Sequence, residues 1–237
     1  MSDRAVILAG GLGTRLRPYT VVLPKPLMPV GEYPILEIVI RKLRSHGFRR
    51  VTLAVNHQAE LIRAFFGDGQ RWDIQIDYSL EDMPLGTVGP LALIPDLPDN
   101  FLLMNGDILT DLDLRAFYDS HVKSGVLFTI AAARRSHRSE YGVLFEDPAH
   151  RLVGFAEKPV SEHLVSMGIY SVSRSVVGKI PLRKKYGFDD LMKQLLDEGA
   201  QVNIYPHGGY WKDIGRHDDY AEAVEDFSGE LRSALLP

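Results

Sequence analysis

Cysteine is absent from this 237-residue sequence, which excludes disulfide bonds and thiolate-ligated metal sites. The formal net charge is −4 and the isoelectric point is near 6.1, so no global excess of positive charge favours nucleic acid or an anionic membrane. No apolar run approaches the length of a membrane span, and the N-terminal residues do not form a secretory signal. These absences predict a cytoplasmic protein without nucleic-acid or membrane partners.

Several catalytic motifs are missing as well. The eight histidines show neither His-x-x-x-His nor His-Glu-x-x-His spacing, which argues against a zinc site. There is no Gly-x-Ser-x-Gly, which argues against an α/β-hydrolase nucleophile. The two commonest phosphate-binding loops, Gly-x-x-x-x-Gly-Lys-Ser/Thr and Gly-x-Gly-x-x-Gly, are also absent. A phosphate site in this chain must therefore use a different loop.

The sequence does contain an alternation of short apolar runs and amphipathic segments. With 45% hydrophobic residues it can bury a substantial core, and its length suits a single α/β domain over residues 1–237. The alternation predicts a three-layer, Rossmann-like mixed sheet, mostly parallel, with helices on both faces. In the first half, strands are predicted at residues 5–9, 51–55, 74–78, 101–104 and 126–132, and helices at 35–46, 58–66, 87–94 and 112–122.

After about residue 135 the pattern changes to short strands separated by Gly, Asp and Pro. This part is predicted to be a small β insertion that completes the first half rather than an independent domain. Strands are predicted there at residues 142–145, 152–156, 165–171 and 202–205, and helices at 188–196 and 218–227.

A glycine turn follows the first predicted strand, at Gly10, Gly11 and Gly13. Glycine permits tight turns and lets backbone N–H groups approach an anion. Arg15 comes next, and Lys25 lies between Pro24 and Pro26, whose rings predict an extended segment holding the lysine. A glycine turn with two cations supplies the donors and positive charge that a triphosphate needs. A glycine-rich surface turn with a solvated arginine is the alternative interpretation.

Two aspartates are candidate metal ligands. Asp107 follows the predicted strand 101–104 directly, in Asn-Gly-Asp, and Asp213 stands in Trp-Lys-Asp-Ile-Gly. Ligands bind at the carboxyl ends of strands in open α/β sheets, so Asp107 is expected beside the glycine turn. Mg²⁺ is usually held by one or two carboxylates together with phosphates and waters, and the pair predicts a magnesium site. A turn is the alternative for Asp107, and helix capping for Asp213, although Asp218 is a better cap.

The segment Leu-Ala-Gly-Gly-Leu-Gly-Thr-Arg-Leu at residues 8–16, with Pro-Lys-Pro at 24–26, resembles the signature of the sugar-1-phosphate nucleotidyltransferases, or NDP-sugar pyrophosphorylases. The resemblance extends from residue 5 to about residue 227. It implies that an NTP and a sugar 1-phosphate give an NDP-sugar and pyrophosphate, with Arg15 stabilising the leaving group and Lys25 the α-phosphate. The nucleotide-binding residues implied at this turn are Leu8, Ala9, Gly10, Gly11, Gly13, Thr14, Arg15 and Lys25.

Other segments resemble the metal and sugar sites of the same family. Asn-Gly-Asp and Trp-x-Asp-Ile-Gly match its metal aspartates, which implies Mg²⁺ on Asp107 and Asp213. Glu-Lys-Pro at residues 157–159 implies that Lys158 binds the phosphate of the sugar 1-phosphate and that Glu157 binds sugar hydroxyls. The β insertion would form the sugar side. The implied catalytic residues are Arg15, Lys25, Asp107 and Lys158, and the implied sugar-phosphate-binding residues are Asn105, Gly142, Glu157, Lys158 and Gly168.

Residues 81–91, Glu-Asp-Met-Pro-Leu-Gly-Thr-Val-Gly-Pro-Leu, bear on the choice of base. They most resemble the mannose-1-phosphate and heptose-1-phosphate guanylyltransferases, which implies that Glu81, Gly86 and Thr87 bind the nucleotide. A carboxylate accepts two hydrogen bonds, and guanine offers N1–H and the 2-amino group side by side, whereas uracil and thymine offer only N3–H. GTP is favoured, with GDP-mannose or a GDP-heptose as product. A uridylyl- or thymidylyltransferase acting on a hexose 1-phosphate is the alternative, with Glu81 an ordinary loop charge.

Two other functional classes stay open. A metal-dependent glycosyltransferase could use the Asp-x-Asp at Asp111 and Asp113, although helix capping explains both more simply. A regulatory subunit could bind an NDP-sugar without turnover. The basic cluster at Arg134, Arg135 and Arg138 is predicted to be a solvated surface. A homo-oligomer is the default expectation, and functions tied to the C-terminal β-helix of some relatives are expected to be absent.

Overall fold

A seven-stranded mixed sheet forms the centre of the computed structural model, which describes residues 3–56 and 58–236. The strands are β1 (Arg4–Leu8), β2 (Pro29–Val30), β3 (Tyr33–Pro34), β4 (Arg50–Val55), β5 (Gln75–Leu80), β6 (Asn100–Asn105), β7 (Ile108–Thr110), β8 (Phe128–Arg138), β9 (Val143–Glu146), β10 (Leu152–Ala156), β11 (Val160–Ser173), β12 (Val202–His207) and β13 (Trp211–Asp213). The α-helices are α1 (Ile35–Ser45), α2 (Ala59–Phe66), α3 (Leu114–Ser124), α4 (Phe188–Asp197), α5 (His217–Asp226) and α6 (Gly229–Leu235).

The order of strands in the central sheet is β12-β8-β11-β6-β1-β4-β5. All pairs are parallel except those of β11, which is antiparallel to both β6 and β8. Strands from the second half of the chain therefore extend the sheet that the first half begins. The pairs β9-β10, β7-β13 and β2-β3 lie outside the central sheet.

Parallel pairing aligns the carboxyl ends of three neighbouring strands. Leu8, the last residue of β1, pairs with Ala54 of β4 on one side and with Asn105 of β6 on the other. The residues that follow these strands therefore project from one edge of the sheet. This is the edge at which open α/β sheets bind ligands.

Both faces of the sheet are covered because its inner strands are apolar on both sides. Val6 and Ile7, adjacent in β1, are both fully buried and point to opposite faces. Ile7 packs in a cluster with α1 and α3, and Val6 packs in a cluster with α4. A third cluster joins α1 to α5 and α6 and includes Leu16, which anchors the segment after the glycine turn.

The predicted fold class is confirmed, and most predicted elements are present within a few residues of their expected bounds. Two strands were predicted too short: β8 continues to Arg138 and β11 begins at Val160, because these ends pair with each other. Residues 89–93 form a 3-10 helix rather than an α-helix, with Pro90 in its first turn. Strands β2, β3, β7 and β13 and helix α6 were not predicted. The four strands have two or three residues each, too few to show a periodicity.

The prediction of one domain over residues 1–237 stays a prediction, and residues 1, 2, 57 and 237 lie outside the described ranges. Among the residues that are described, no helix is both long enough and apolar enough to cross a membrane.

Candidate active site

The glycine turn after β1 is shaped by close contacts that a side chain would disturb. A Cβ on Gly10 would lie 2.8 Å from Oε1 of Glu81, so the backbone approaches the loop after β5 closely here. Gly13 has φ +60, and its carbonyl accepts a hydrogen bond of 2.7 Å from the hydroxyl of Thr20. Gly13 therefore shapes the turn, and Thr14 begins the 3-10 helix Thr14–Leu16 that follows it.

A cavity of about 490 Å³, here called the main cavity, opens at the edge where β1 and β6 end. Eleven of the predicted site residues line it: Leu8, Ala9, Gly10, Gly11, Arg15, Lys25, Glu81, Gly86, Thr87, Asn105 and Asp107. Seven do not: Gly13, Thr14, Gly142, Glu157, Lys158, Gly168 and Asp213. The main cavity therefore brings together most of the predicted nucleotide site and only Asn105 of the predicted sugar site.

Lys25 and Asp107 form an ion pair at the wall of the main cavity. The lysine is only 9% exposed and begins a 3-10 helix, Lys25–Leu27, so the predicted extended segment is wrong. A proline ring at the start of such a helix removes no hydrogen bond, because the first N–H groups have no partner within the helix. Oδ2 of Asp107 accepts a hydrogen bond from the ammonium group of Lys25. Oδ1 of Asp107 is buried and has no hydrogen-bond partner among the described residues.

Asp213 is brought next to Asp107 by a short antiparallel pair. Asp213 of β13 pairs with Ile108 of β7, and the N–H of Ile214 donates to the carbonyl of Asp107 at 3.0 Å. Desolvation, followed by the negative charge of Asp107, raises the pKa of Asp213, while Lys25 lowers it. Two carboxylates that repel each other beside an unsatisfied buried oxygen suit a bound cation. Helix α5 begins at His217, so Asp218 lies in its first turn and is not its cap.

Arg15 lies between the main cavity and a second cavity of about 290 Å³, here called the arginine cavity. A Cβ on Gly215 would lie 3.2 Å from Nη2 of Arg15, so the glycine leaves room for the guanidinium. Arg15 also lowers the pKa of Asp213 through its positive charge, although desolvation and Asp107 raise it more. The arginine cavity is lined by Arg15, Arg135, Trp211, Asp213, Gly215 and Arg216, among others.

The predicted sugar residues fall into two groups. Gly168 has φ +71, and a Cβ there would lie 2.7 Å from the side-chain nitrogen of Asn105, so these two residues adjoin each other at the end of β6. Gly142 adjoins Glu157, because a Cβ on Gly142 would lie 3.2 Å from Oε2 of Glu157. This second group belongs to the β9-β10 hairpin and its flanks.

Lys158, two residues after the end of β10, is exposed and has φ +44. This conformation is uncommon for a residue with a side chain, and such strain is concentrated at functional sites.

Glu81 directly follows β5, and its carboxylate side chain lines the main cavity. Its own N–H donates to the carbonyl of Val55 at 2.8 Å, which ties the end of β5 to β4. Burial raises the pKa of Glu81, and a hydrogen bond from the N–H of Leu85 opposes this in part. The side chain is therefore poorly solvated, fixed at one oxygen, and directed to the cavity that it lines.

Residues 183–186, which the sequence analysis did not identify, hold the loop after β5 through hydrogen bonds and an ion pair. Tyr186 donates its N–H to the carbonyl of Leu85 at 2.8 Å, and its carbonyl accepts from the N–H groups of Val88 and Gly89 at 3.2 and 3.1 Å. Arg183 adds an ion pair of 2.6 Å with Asp82. These partners are about 100 residues apart along the chain, so no local pattern identifies them.

The two aspartates of the Asp-x-Asp have structural partners. Asp113 is the N-cap of α3 and accepts a hydrogen bond of 2.9 Å from the N–H of Ala116. Asp111 is paired with His207 at 2.8 Å. These contacts confirm the capping interpretation for Asp113. The capping interpretation is wrong for Asp111, which instead contacts His207 at the end of β12.

The basic cluster lies on the surface, with Arg134, Arg135 and Arg138 all exposed. The guanidinium of Arg135 stacks over the ring of Trp211, 4.6 Å from its centroid, and Nη2 donates to the Trp211 carbonyl at 3.0 Å. The surface interpretation is therefore confirmed for the three arginines, and Arg135 in addition contacts Trp211.

Comparisons with known proteins agree on one family. The profile of the family described as nucleotidyl transferase matches residues 4–229. The UTP–glucose-1-phosphate uridylyltransferase of Synechocystis sp. is 35% identical over 255 residues, which cover 99% of this chain and 66% of that protein. The mannose-1-phosphate guanyltransferase of Aspergillus oryzae is 32% identical over 226 residues, which cover 92% of this chain and 62% of that protein.

Among solved structures, HddC from Yersinia pseudotuberculosis complexed with GMP-PN has a TM-score of 0.74 and 26% identity, covering 95% of this chain and 100% of that one. The chain therefore matches a solved structure over that structure's full length. It spans 66% and 62% of the two curated relatives.

Proposed function

The chain belongs to the nucleotidyl transferase family, and we propose that it joins a nucleoside triphosphate to a sugar 1-phosphate, giving an NDP-sugar and pyrophosphate. One observation carries the proposal: the glycine turn, Arg15, Lys25 and Asp107 line a single cavity at the carboxyl ends of β1 and β6. Backbone N–H groups and two cations favour a triphosphate there. The aspartate favours a cation that accompanies it.

The reaction needs no nucleophile from the protein. The phosphate oxygen of the sugar 1-phosphate attacks the α-phosphorus in line, and pyrophosphate departs, so catalysis consists of placement and neutralisation of charge. We assign Arg15 to the leaving pyrophosphate and Lys25 to the α-phosphate. Lys25 forms an ion pair with Asp107, which places its ammonium group beside the carboxylate assigned to the metal.

We assign Asp107 and Asp213 to Mg²⁺. The fit rests on the unsatisfied Oδ1 of Asp107 and on burial and the nearby negative charge of Asp107, which together raise the pKa of Asp213. When bound, the ion supplies positive charge that neutralises the phosphate oxygens. The protein's own part is to hold the two carboxylates together through the β7-β13 pair and the hydrogen bond from Ile214 to Asp107.

We propose guanine as the base. Glu81 lines the main cavity in a poorly solvated position, where a carboxylate that accepts N1–H and the 2-amino group gains most from the pairing. The Aspergillus relative is named for guanylyl transfer, which agrees with this choice. The Synechocystis relative is named for uridylyl transfer to glucose 1-phosphate, so UTP is the second candidate.

We propose that Lys158 and Glu157 bind the sugar 1-phosphate, with mannose 1-phosphate or a heptose 1-phosphate as substrate. The strained backbone of Lys158 and the contact of Glu157 with Gly142 support this assignment. Both residues lie off the main cavity, so the sugar would be held between the hairpin and the pair Asn105–Gly168. A homo-oligomer and a cytoplasmic location stay predictions.

The test is a matrix of five nucleoside triphosphates against glucose, mannose and heptose 1-phosphates, with Mg²⁺, read by pyrophosphate release. We expect the largest kcat/KM for GTP with mannose 1-phosphate or a heptose 1-phosphate. The largest kcat/KM with UTP would reject the guanine assignment and leave the reaction intact. No pyrophosphate from any pair, with tight binding of an NDP-sugar, would favour a regulatory subunit. Transfer of sugar from an NDP-sugar to an acceptor would favour a glycosyltransferase.

A further inference from the structure

The arginine cavity adjoins the main cavity at Arg15, the one described residue that lines both. Arg135 on β8 and Arg216, the residue before α5, line the arginine cavity and not the main cavity. Arg135 also lines a third cavity of about 400 Å³ beside β12. The assignments made above use Arg15 and Asp213 and leave these two arginines without a role.

Arg135 is exposed, and two contacts with Trp211 restrict its orientation. Its guanidinium stacks on Trp211, at 4.6 Å from the ring centroid, and donates one hydrogen bond to the carbonyl of the same residue. Trp211 is itself fixed, since its indole N–H donates to the carbonyl of Met167 at 3.0 Å. A guanidinium has five N–H donors in a planar fork, so Arg135 keeps donors that are available to an anion in the arginine cavity.

The cationic side chains that line the arginine cavity differ in whether they have an ion-pair partner. Lys212, which also lines it, is paired with Glu222 and Asp226. In contrast, no carboxylate forms an ion pair with Arg15, Arg135 or Arg216 within residues 3–56 and 58–236. Three guanidinium groups therefore meet two carboxylates, those of Asp213 and Asp219, and the balance in the cavity is positive.

We propose that the arginine cavity receives the pyrophosphate that leaves the α-phosphorus, with Arg135 and Arg216 taking it over from Arg15. The proposal rests on the proposed nucleotidyl transfer. In that step a sugar-phosphate oxygen forms a bond to the α-phosphorus, and the bond from the α-phosphorus to the bridging oxygen breaks. The bridging oxygen keeps the electron pair and leaves as part of pyrophosphate, so no proton is required.

Pyrophosphate fits this cavity better than the sugar phosphate does. The cavity begins at Arg15, the cation assigned to the leaving group, whereas Lys158 and Glu157 do not line it. Planar arginine forks pair with phosphate groups through two parallel hydrogen bonds, and several such forks suit a molecule with two phosphates. Arg135 and Arg216 are thus binding residues for the departing product.

The test compares Arg135→Ala and Arg216→Ala with the wild-type chain in two assays. Calorimetric titration with inorganic pyrophosphate, in the absence of nucleotide, should give a Kd that rises about tenfold in each variant, the effect of losing a hydrogen bond to a charged group. In the reverse reaction, run on the NDP-sugar of the best substrate pair, KM for pyrophosphate should rise by a similar factor, and KM for the NDP-sugar should stay unchanged.

Arg71→Ala is the matched control. Arg71 also stacks on a tryptophan, 5.1 Å from the ring centroid of Trp72, but stands next to the edge strand β5 and lines neither cavity. Its substitution should leave both pyrophosphate constants unchanged. If Arg135→Ala unfolds the chain, Arg216→Ala decides, because the side chain of Arg216 makes no capping hydrogen bond.

Two results would overturn the proposal. One is an unchanged Kd for pyrophosphate in both folded variants. The other is a raised KM for the sugar 1-phosphate with an unchanged KM for pyrophosphate, which would assign the arginines to the other substrate. If the wild-type chain transfers no nucleotide, the proposed function fails while the calorimetric assay still tests whether the cavity binds pyrophosphate.

Discussion

The two sides of the candidate site are built in different ways. On the nucleotide side, Lys25 is 9% exposed, and Asp107 follows a strand in the middle of the sheet. On the sugar side, Lys158 and Glu157 follow β10, which forms a sheet of only two strands with β9. The side chains of this hairpin are largely solvated, with Leu152 65% exposed and Phe155 61% exposed. A hairpin of two strands has little stability of its own.

This difference suggests a division of labour between the two sides. Groups held rigidly by a core can stabilise charge in the transition state without reorganising, and this affects kcat. Groups on a weakly packed element must be ordered by the substrate, and their loss is expected to appear mainly in KM. Substitutions on the two sides should therefore separate kcat from KM.

The largest effect is expected at Asp107. Asp107→Asn keeps the shape of the side chain, removes the charge that would hold Mg²⁺ and leaves Lys25 without its ion pair. We expect kcat for pyrophosphate release to fall by about 10³-fold, comparable to losing a preorganised electrostatic group. Asp111→Asn is the matched control, since Asp111 pairs with His207 and lines neither cavity. A kcat within a few fold of wild type in a folded Asp107→Asn variant would reject the metal assignment.

A smaller effect, on KM, is expected at Lys158. Lys158→Ala and Lys158→Gly both remove the ammonium group, so KM for the sugar 1-phosphate should rise about 100-fold in both, with a nearly unchanged Kd for GTP. The two variants differ in the backbone, because Lys158 has φ +44. The glycine variant should be the more stable by about 1 kcal/mol in urea unfolding, since glycine adopts positive φ without strain. An unchanged KM in both would remove Lys158 from the sugar site.

The next effect, on recognition of the base, is expected at Glu81 on the nucleotide side. Glu81→Gln keeps one acceptor and replaces the other with a donor, so kcat/KM for GTP should fall about 30-fold, within the range for a bidentate pairing to a base. Use of UTP should change little. Glu60→Gln is a control on an exposed carboxylate of α2. Equal losses for GTP and UTP in Glu81→Gln would mean that the residue shapes the loop and does not read the base.

The same carboxylate gives a pH dependence with a defined sign. Burial raises the pKa of Glu81, so the group becomes protonated at a higher pH than an ordinary glutamate as the solution is acidified. A protonated carboxyl cannot accept both guanine hydrogen bonds. Kd for GTP should therefore rise as the pH falls through this raised pKa, and the dependence should be absent in Glu81→Gln. A flat profile for the wild-type chain would contradict the pairing with guanine.

The nucleotide side was also the more predictable from sequence. Its signals are local: an apolar strand, a glycine turn and an Asn-Gly-Asp at the end of another strand all lie within short stretches. The parallel order of β1, β4 and β6 then brings their ends to one edge. The proximity of Asp213 to Asp107 depends on a three-residue pairing, β7 with β13, and the sequence supplied it through resemblance to a family motif.

Features that depend on distant partners were not predictable. The length of β8 and β11 is set by pairing between their own ends, and Tyr186 reaches the loop at 85–89 from another part of the chain. Arg135 belongs to a basic cluster that has the composition of a solvated surface, and only the position of Trp211 distinguishes it. A one-dimensional pattern contains no information on these pairings.

The smallest effect, at Phe155, tests whether the hairpin is independent of the core. Phe155 packs beside Gly142, where a Cβ would lie 2.6 Å from the phenyl ring, and is otherwise solvated. Phe155→Ala should change the free energy of unfolding by less than about 0.5 kcal/mol, as for a surface site. In contrast, Phe117→Ala, in the core, should destabilise the chain by about 3–5 kcal/mol.

KM for the sugar 1-phosphate should nevertheless rise about threefold in Phe155→Ala, because the alanine leaves Gly142 and the neighbouring Glu157 less ordered. KM for GTP should not change. A loss of stability near that of Phe117→Ala would mean that the hairpin is part of the core after all. In that case the sugar side is preorganised like the nucleotide side, and substitutions at Lys158 should lower kcat as well as raise KM.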